Sequence, residues 1–378
     1  MSANARYSRQ TRLPEIGAAG QKRLGAARVL VVGIGGLGTP VATYLAAAGV
    51  GTLVLVDPDT VDVSNLHRQP LYTEADAGQY KVEVAAERLG ALNPHVSIEA
   101  HAERFSPANA PGLVAGTDVV VDGTDTFATR YLVNDACVLA GVPNAFASIS
   151  RYDGQASVFG GRGVSGERGP CYRCLFPAQP EEGSVPSCAE GGVLGVLPAL
   201  FGTIQATEAL KLILGIGEPL VGRLLLADAL GMSFRTLRIT RDPACPVCGD
   251  APSISTLSTH AAQCGPPPMA SVPELSVTDL KALQDEGNAP FILDVREPAE
   301  YEAANIDGAL IPLGELPSRL NELDAHRDDA VLVVHCRSGS RSARAVEFLH
   351  QNGFTNAVNL AGGIHAWSDA IDPTLPKV

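Results

Sequence analysis

The sequence predicts an α/β protein of two domains, each built on a parallel sheet flanked by helices. Three observations predict it. Short β-branched runs alternate with helical patterns, the order that gives parallel strands with helices on both faces. The runs are continuously apolar, as strands buried on both sides must be. At 378 residues, 46% of them hydrophobic and 18% charged, the chain is long enough to bury more than one core.

Arg28–Val32 reads as a strand, residues 37–48 as a helix, Thr52–Val56 as the next strand, and 118–122 as a later strand with a polar tip. Regular patterning stops near Asp250. Residues 251–272, with serine–threonine repeats and Cys264-Gly-Pro-Pro-Pro268, have the composition of a flexible linker. A second α/β pattern follows: strands at 291–294 and 331–335, then a helix over 342–352. The expected domains are therefore 1–250 and 273–378.

Composition narrows the function. A formal net charge of -13, from 41 acidic and 28 basic residues, argues against a nucleic-acid binder but permits nucleotide binding. Arg6, Arg9 and Arg12 precede no compact apolar core with a cleavage site, so no secretory signal is expected and the cytoplasm is the expected location. The uncharged stretch between Arg28 and Asp57 is long enough to span a membrane. Its glycines and Pro40 fit strand, turn, helix and strand better, and no membrane is expected. Eight cysteines are too sparse for a disulfide scaffold, and four of them form two C-x-x-C pairs, which suggests a metal.

Gly33-Ile34-Gly35-Gly36-Leu37-Gly38 follows a strand and opens a helix. Glycine lets backbone amides approach phosphate oxygens, and the helix N-terminus adds partial positive charge. Asp57 ends the next strand and is suitably placed for ribose hydroxyls. Alone this motif fits a dinucleotide as well as ATP. A triphosphate needs cations and usually a metal ion. Arg68 and Lys81 are candidate cations, and Asp125 is a candidate Mg²⁺ ligand. Each of these, taken singly, also reads as a solvated surface charge.

Together with Tyr7-Ser8-Arg9-Gln10, the string Ser64-Asn65-Leu66-His67-Arg68-Gln69 and Gly123-Thr124-Asp125, these residues resemble the MoeB/ThiF family, bacterial relatives of ubiquitin-activating enzymes. The resemblance covers about residues 5–250. It implies a Rossmann-like domain that binds ATP with Mg²⁺ and makes an acyl-adenylate on a small ubiquitin-like sulfur-carrier protein ending in Gly-Gly. It places Gly36, Asp57, Ser64 to Arg68, Lys81, Asp125 and Thr126 on ATP, with Arg9 supplied by the partner subunit of a homodimer. The family usually has Asn where this chain has Thr126.

Cys171-Tyr-Arg-Cys174 and Cys245-Pro-Val-Cys248 each offer two thiolates from one turn, and together they suit a closed Cys₄ zinc site. Two disulfides or redox dithiols are the rival reading. Relatives carry such a pair, which implies structural zinc clamping distant segments. Cys188 lies in a glycine-containing loop, where the resemblance suggests either a covalent link to the carrier or a bystander thiol.

His335-Cys336-Arg337-Ser338-Gly339-Ser340-Arg341 joins a strand to a helix. Backbone amides, a helix N-terminus and two arginines would favour a thiolate able to carry sulfur as a persulfide. A cysteine phosphatase uses the same idea with Cys-x₅-Arg, whereas this loop reads Cys-x₄-Arg and suits sulfur. With Asp294-Val-Arg296-Glu297-Pro298 and Gly362-Gly363 to Trp367, the segment from 273 to 371 resembles the rhodanese domain, which implies a small α/β fold fed by a persulfide or thiosulfate donor. The linker would hold that sulfur at high effective concentration near the adenylate. The resemblance implies a carrier serving molybdopterin, thiamine, cysteine or tRNA thiolation. Two other readings remain: a dinucleotide-dependent oxidoreductase with a rhodanese tail, and a non-catalytic adaptor that docks sulfur carriers.

Overall fold

A computed structural model describes residues 3–163, 166–179, 192–258, 272–327 and 329–376. Cys188 and Cys264 lie outside them. The chain divides into two compact units, one holding most of the chain up to Cys264 and the other Gly265–Val378.

The first unit has one eight-stranded sheet in the order β3-β2-β1-β4-β5-β6-β7-β8. Its strands are β1 Arg28–Val32, β2 Thr52–Val56, β3 Ser97–His101, β4 Val119–Asp122, β5 Asn144–Ser150, β6 Asp153–Phe159, β7 Arg223–Asp228 and β8 Ser233–Arg238. The first five are parallel. The last three pairings are antiparallel. The five parallel strands are the expected parallel sheet, and the antiparallel extension beyond β5 was not read from the sequence. It follows from a two-residue turn at Arg151–Tyr152, where Arg151 takes φ 52 and reverses the chain.

Helices α1 Gly38–Ala48, α2 Lys81–Leu92 and α4 Leu197–Leu214 pack on one side of the parallel strands, and α3 Phe127–Ala140 packs on the other. Leu30, Val32, Val54 and Val120 face α3, while Val29, Val31, Leu53 and Val121 face the opposite layer. That division follows from the two-residue period of a strand. By length and composition α4 is apolar enough to cross a membrane, yet half of it is buried in this core. Its Gln205 donates to the carbonyls of Asp122 and Ala145, tying it to β4 and β5.

The second unit has a five-stranded parallel sheet in the order β11-β10-β12-β13-β9. These strands are β9 Glu274–Leu275, β10 Phe291–Asp294, β11 Ala309–Leu310, β12 Leu332–His335 and β13 Ala357–Leu360. Helix α5, Ser340–Gln351, begins five residues after β12 ends and packs on that sheet.

Candidate functional site

Strand order in the first unit reverses between β1 and β4, and a cleft opens at their carboxyl ends, where open α/β sheets bind ligands. Gly33 enters the loop at φ 88, which favours glycine. Any side chain at Gly38 would collide with the Gly33 carbonyl, so the start of α1 can close on the loop only as glycine. Gly35 accepts from the Thr39 amide at 3.0 Å and lies between these two. Gly36, Asn65, Arg68, Lys81 and Asp125 all line the cleft.

Asp57 is buried. Its carboxylate accepts from the Ile34 amide at 2.7 Å and the Asp59 amide at 2.8 Å, so it braces the glycine loop from below. Burial pushes its pKa up, against those hydrogen bonds and the Lys81 charge. Lys81 opens α2 and is also buried, with Nζ 3.1 Å from Asp59. Arg68 Nη1 donates to the Ser64 carbonyl at 3.2 Å and lies 2.9 Å from the His67 ring. The Ser64 side chain turns to Asp62 at 2.5 Å, and Leu66 packs into the core. Thr126 caps α3, accepting from the Thr129 amide at 3.4 Å. Arg9 is exposed. Its neighbours anchor at the far end of α1: Asn93 donates to the Tyr7 hydroxyl at 2.8 Å, and Gln10 donates to the Ala48 carbonyl at 3.2 Å.

One cleft residue, Arg130, and one buried residue beside the cleft-lining Gly123, Asp122, escaped sequence reasoning as site residues. Arg130, buried on α3, donates to the Thr124 carbonyl at 3.2 Å and lies over the Phe127 ring at 5.4 Å. Asp122, wholly buried at the end of β4, accepts from the Thr124 amide at 3.0 Å and its hydroxyl at 2.6 Å. Burial raises the Asp122 pKa, and the Arg130 charge opposes it. An acidic residue closing an apolar strand was the available signal.

The two C-x-x-C turns meet. The sulfurs of Cys171, Cys174, Cys245 and Cys248 lie within 4.8 Å of one another, with close pairs at 3.3, 3.5 and 3.8 Å. Four sulfurs bound tetrahedrally at zinc's usual distance would be about 3.8 Å apart. The set therefore fits a closed zinc centre, and none of its cysteines is in a disulfide. Arg173, between the first two ligands, makes paired bonds of 2.8 and 2.9 Å to Asp135 on α3, and the Tyr172 amide donates to Asn134 at 2.7 Å. The metal turn is thus bolted to the helix that carries Arg130. Cys137 is buried filler in the core.

In the second unit Cys336 follows β12 and is fully buried. Its Sγ accepts from the Gly339 amide at 3.2 Å and the Ser342 hydroxyl at 3.3 Å. Arg337 donates to His365 at 3.3 Å. Arg341 does not supply the free positive charge that the sequence suggested, because Glu300 grips it at 2.8 and 2.7 Å. Desolvation pushes the Glu300 carboxyl up, but the Arg341 hydrogen bond, the Glu297 amide and the charges of Arg341 and Arg296 together hold it below its usual range, so the pair stays ionised. Behind the cysteine, Asp294, Arg296 and His335 form a completely buried polar cluster.

Residues 7–247 match the ThiF family, and residues 276–370 match the rhodanese-like domain. The chain is 45% identical over 376 residues to the probable adenylyltransferase/sulfurtransferase MoeZ of Mycobacterium tuberculosis, covering 98% of this chain and 94% of that one. It is 56% identical over 260 residues to the sulfur carrier protein adenylyltransferase of Thermus thermophilus, covering 69% and 96%. Among solved structures, E. coli MccB with AMPCPP and MccA matches with a TM-score of 0.57 at 25% identity, covering 65% of this chain and 75% of that one.

Proposed function

Because the chain belongs to the ThiF family and carries a rhodanese-like domain, we propose that it uses ATP to activate the C-terminal glycine of a small ubiquitin-like sulfur-carrier protein and then passes sulfur to it from Cys336. It is an enzyme with adenylyltransferase and sulfurtransferase activities. The M. tuberculosis relative, aligned over nearly the whole of both chains, carries both names. The observation that carries the reading is the convergence of Gly36, Arg68, Lys81 and Asp125 on one cleft.

In this reading the glycine-loop amides and the start of α1 cradle the phosphates. Arg68 and Lys81 offset the charge that develops as the carrier's carboxylate displaces pyrophosphate. Asp125 is the residue that would hold Mg²⁺, which would neutralise phosphate charge. The persulfide sulfur on Cys336 then attacks the acyl carbon and AMP leaves. Cleavage of the resulting acyl disulfide by an external thiol frees the thiocarboxylate.

We further assign Arg9 to the cleft of a second copy, making the working enzyme a homodimer. Helix α1 is eleven residues long, and the Arg9 segment is anchored at its far end, about 16 Å along the axis from the glycine loop. A cytoplasmic site of action suits a four-cysteine cluster that holds no disulfide. The role of Cys188 falls outside the described residues.

Two variants test the division of labour. Asp125→Ala should lower carrier-dependent ATP–pyrophosphate exchange by at least roughly 100-fold and leave thiosulfate:cyanide sulfurtransfer intact. Cys336→Ala should do the reverse. Persistent exchange in the first variant removes Asp125 from the metal role, and loss of both activities in the second contradicts the two-site arrangement.

A further inference from the structure

Ser342 lies beyond the six-residue cysteine loop, in the first turn of α5, and is completely buried. Three acceptors surround its single hydroxyl hydrogen. Asn359 Oδ1 is at 2.7 Å, the Gly339 carbonyl at 3.1 Å and Cys336 Sγ at 3.3 Å. The orientation of the Asn359 amide is fixed, because its Nδ2 donates to Glu274 on β9 at 2.9 Å. The oxygen therefore faces Ser342 and competes with the sulfur for the same proton.

That competition depends on the charge of the sulfur. Against a neutral thiol, the closer amide oxygen holds the hydrogen. Against an anionic sulfur, a charge-assisted bond is about twice as strong as a neutral one, and a hydroxyl can rotate to make it. We infer that Ser342 is a catalytic hydrogen-bond donor to the Cys336 thiolate, and that Asn359 and Glu274 are positioning residues that hold its hydrogen aside until the charge appears. The inference rests on the sulfur-transfer reading of Cys336.

The chemistry requires that charge twice. The thiolate attacks the outer sulfur of thiosulfate, an S–S bond forms as the donor's S–S bond breaks, and the electron pair leaves with sulfite. When cyanide, or an activated acyl carbon, takes part in the second half, the roles differ. Cyanide attacks the terminal sulfur and returns the electron pair to Cys336, and Ser342 with the Gly339 amide receives that thiolate. Toward an acyl carbon the persulfide itself is the nucleophile. Thiosulfate:cyanide turnover is therefore the sensitive readout.

The charged groups around the sulfur are accounted for separately. Arg341 is held by Glu300, Arg337 meets His365, His335 sits against Asp294, and Glu274 lies beyond Asn359.

The test uses the full chain and follows alkylation of Cys336 by iodoacetamide across pH, read at that peptide by mass spectrometry, beside thiosulfate:cyanide turnover. Ser342→Ala should move the alkylation midpoint to higher pH and lower turnover by roughly ten- to a hundredfold. Ser342→Thr, which keeps the hydroxyl, should restore most of both. Asn359→Leu removes the competing acceptor and should move the midpoint the opposite way, to lower pH. Unchanged alkylation in Ser342→Ala overturns the inference, as does a shift in the same direction for Ser342→Ala and Asn359→Leu, which would mark a merely structural network. Sulfurtransfer surviving in Cys336→Ala would instead overturn the underlying assignment of the sulfur site.

Discussion

Replacing Asp135 by alanine should destabilise the first domain far more than loss of a surface charge would. Asp135 and Arg173 make two hydrogen bonds, at 2.8 and 2.9 Å, with side chains only 1% and 8% exposed. Arg173 also lies over the Tyr131 ring at 4.6 Å, so without Asp135 its guanidinium would stay buried and lose its carboxylate counter-charge. Removing one partner of such a pair costs about 3–5 kcal/mol. That is a large part of the total stability of an ordinary domain, about 5–15 kcal/mol. The exposed pair Arg319–Glu322 is the control, worth about 0–1 kcal/mol. Urea unfolding followed by circular dichroism measures the loss. The sole tryptophan, Trp367, lies in the second domain, so its fluorescence transition is an internal reference that should not move. The double variant Asp135→Leu/Arg173→Met, which leaves no buried charge, should recover most of the stability. A loss under about 1 kcal/mol for Asp135→Ala, or no recovery in the double variant, would refute the reasoning.

Two further outcomes follow from the same physical chemistry. Replacing Cys171 by serine should lower zinc content, measured by atomic spectroscopy, and reduce the stability of the first domain; a native protein that is metal-free before any substitution refutes the clamp. Burial depresses the His335 pKa despite Asp294 at 3.4 Å, so the folded state favours the neutral ring. Its stabilisation is then present above the unfolded value of about 6.5 and is lost as pH falls from there through the lower folded value, at up to about 1.4 kcal/mol per pH unit. Trp367 fluorescence in urea at stepped pH should show that slope, and His335→Leu should flatten it.

What the sequence disclosed and what it hid divide by how local the chemistry is. The glycine loop, the two C-x-x-C turns and the cysteine loop are each contained within a few residues, and their meaning survives without coordinates. Arg130 was hidden because an arginine in a helical pattern reads as a solvated face, and only the Phe127 and Phe146 rings and the Thr124 carbonyl, brought together by β4 and β5, give it a buried seat. Arg341 illustrates the opposite error: the sequence placed its charge beside the sulfur, yet a carboxylate 41 residues earlier in the chain binds it. Of the antiparallel strands, β8 went unread because it is exposed along its whole length and offers no apolar run to notice. The electrostatics of the sulfur site therefore depend on which acceptors and counter-charges the tertiary fold delivers. The loop motif names the nucleophile, while Ser342, Asn359 and Glu300, contributed by α5, β13 and the segment after β10, set how readily its charge is tolerated.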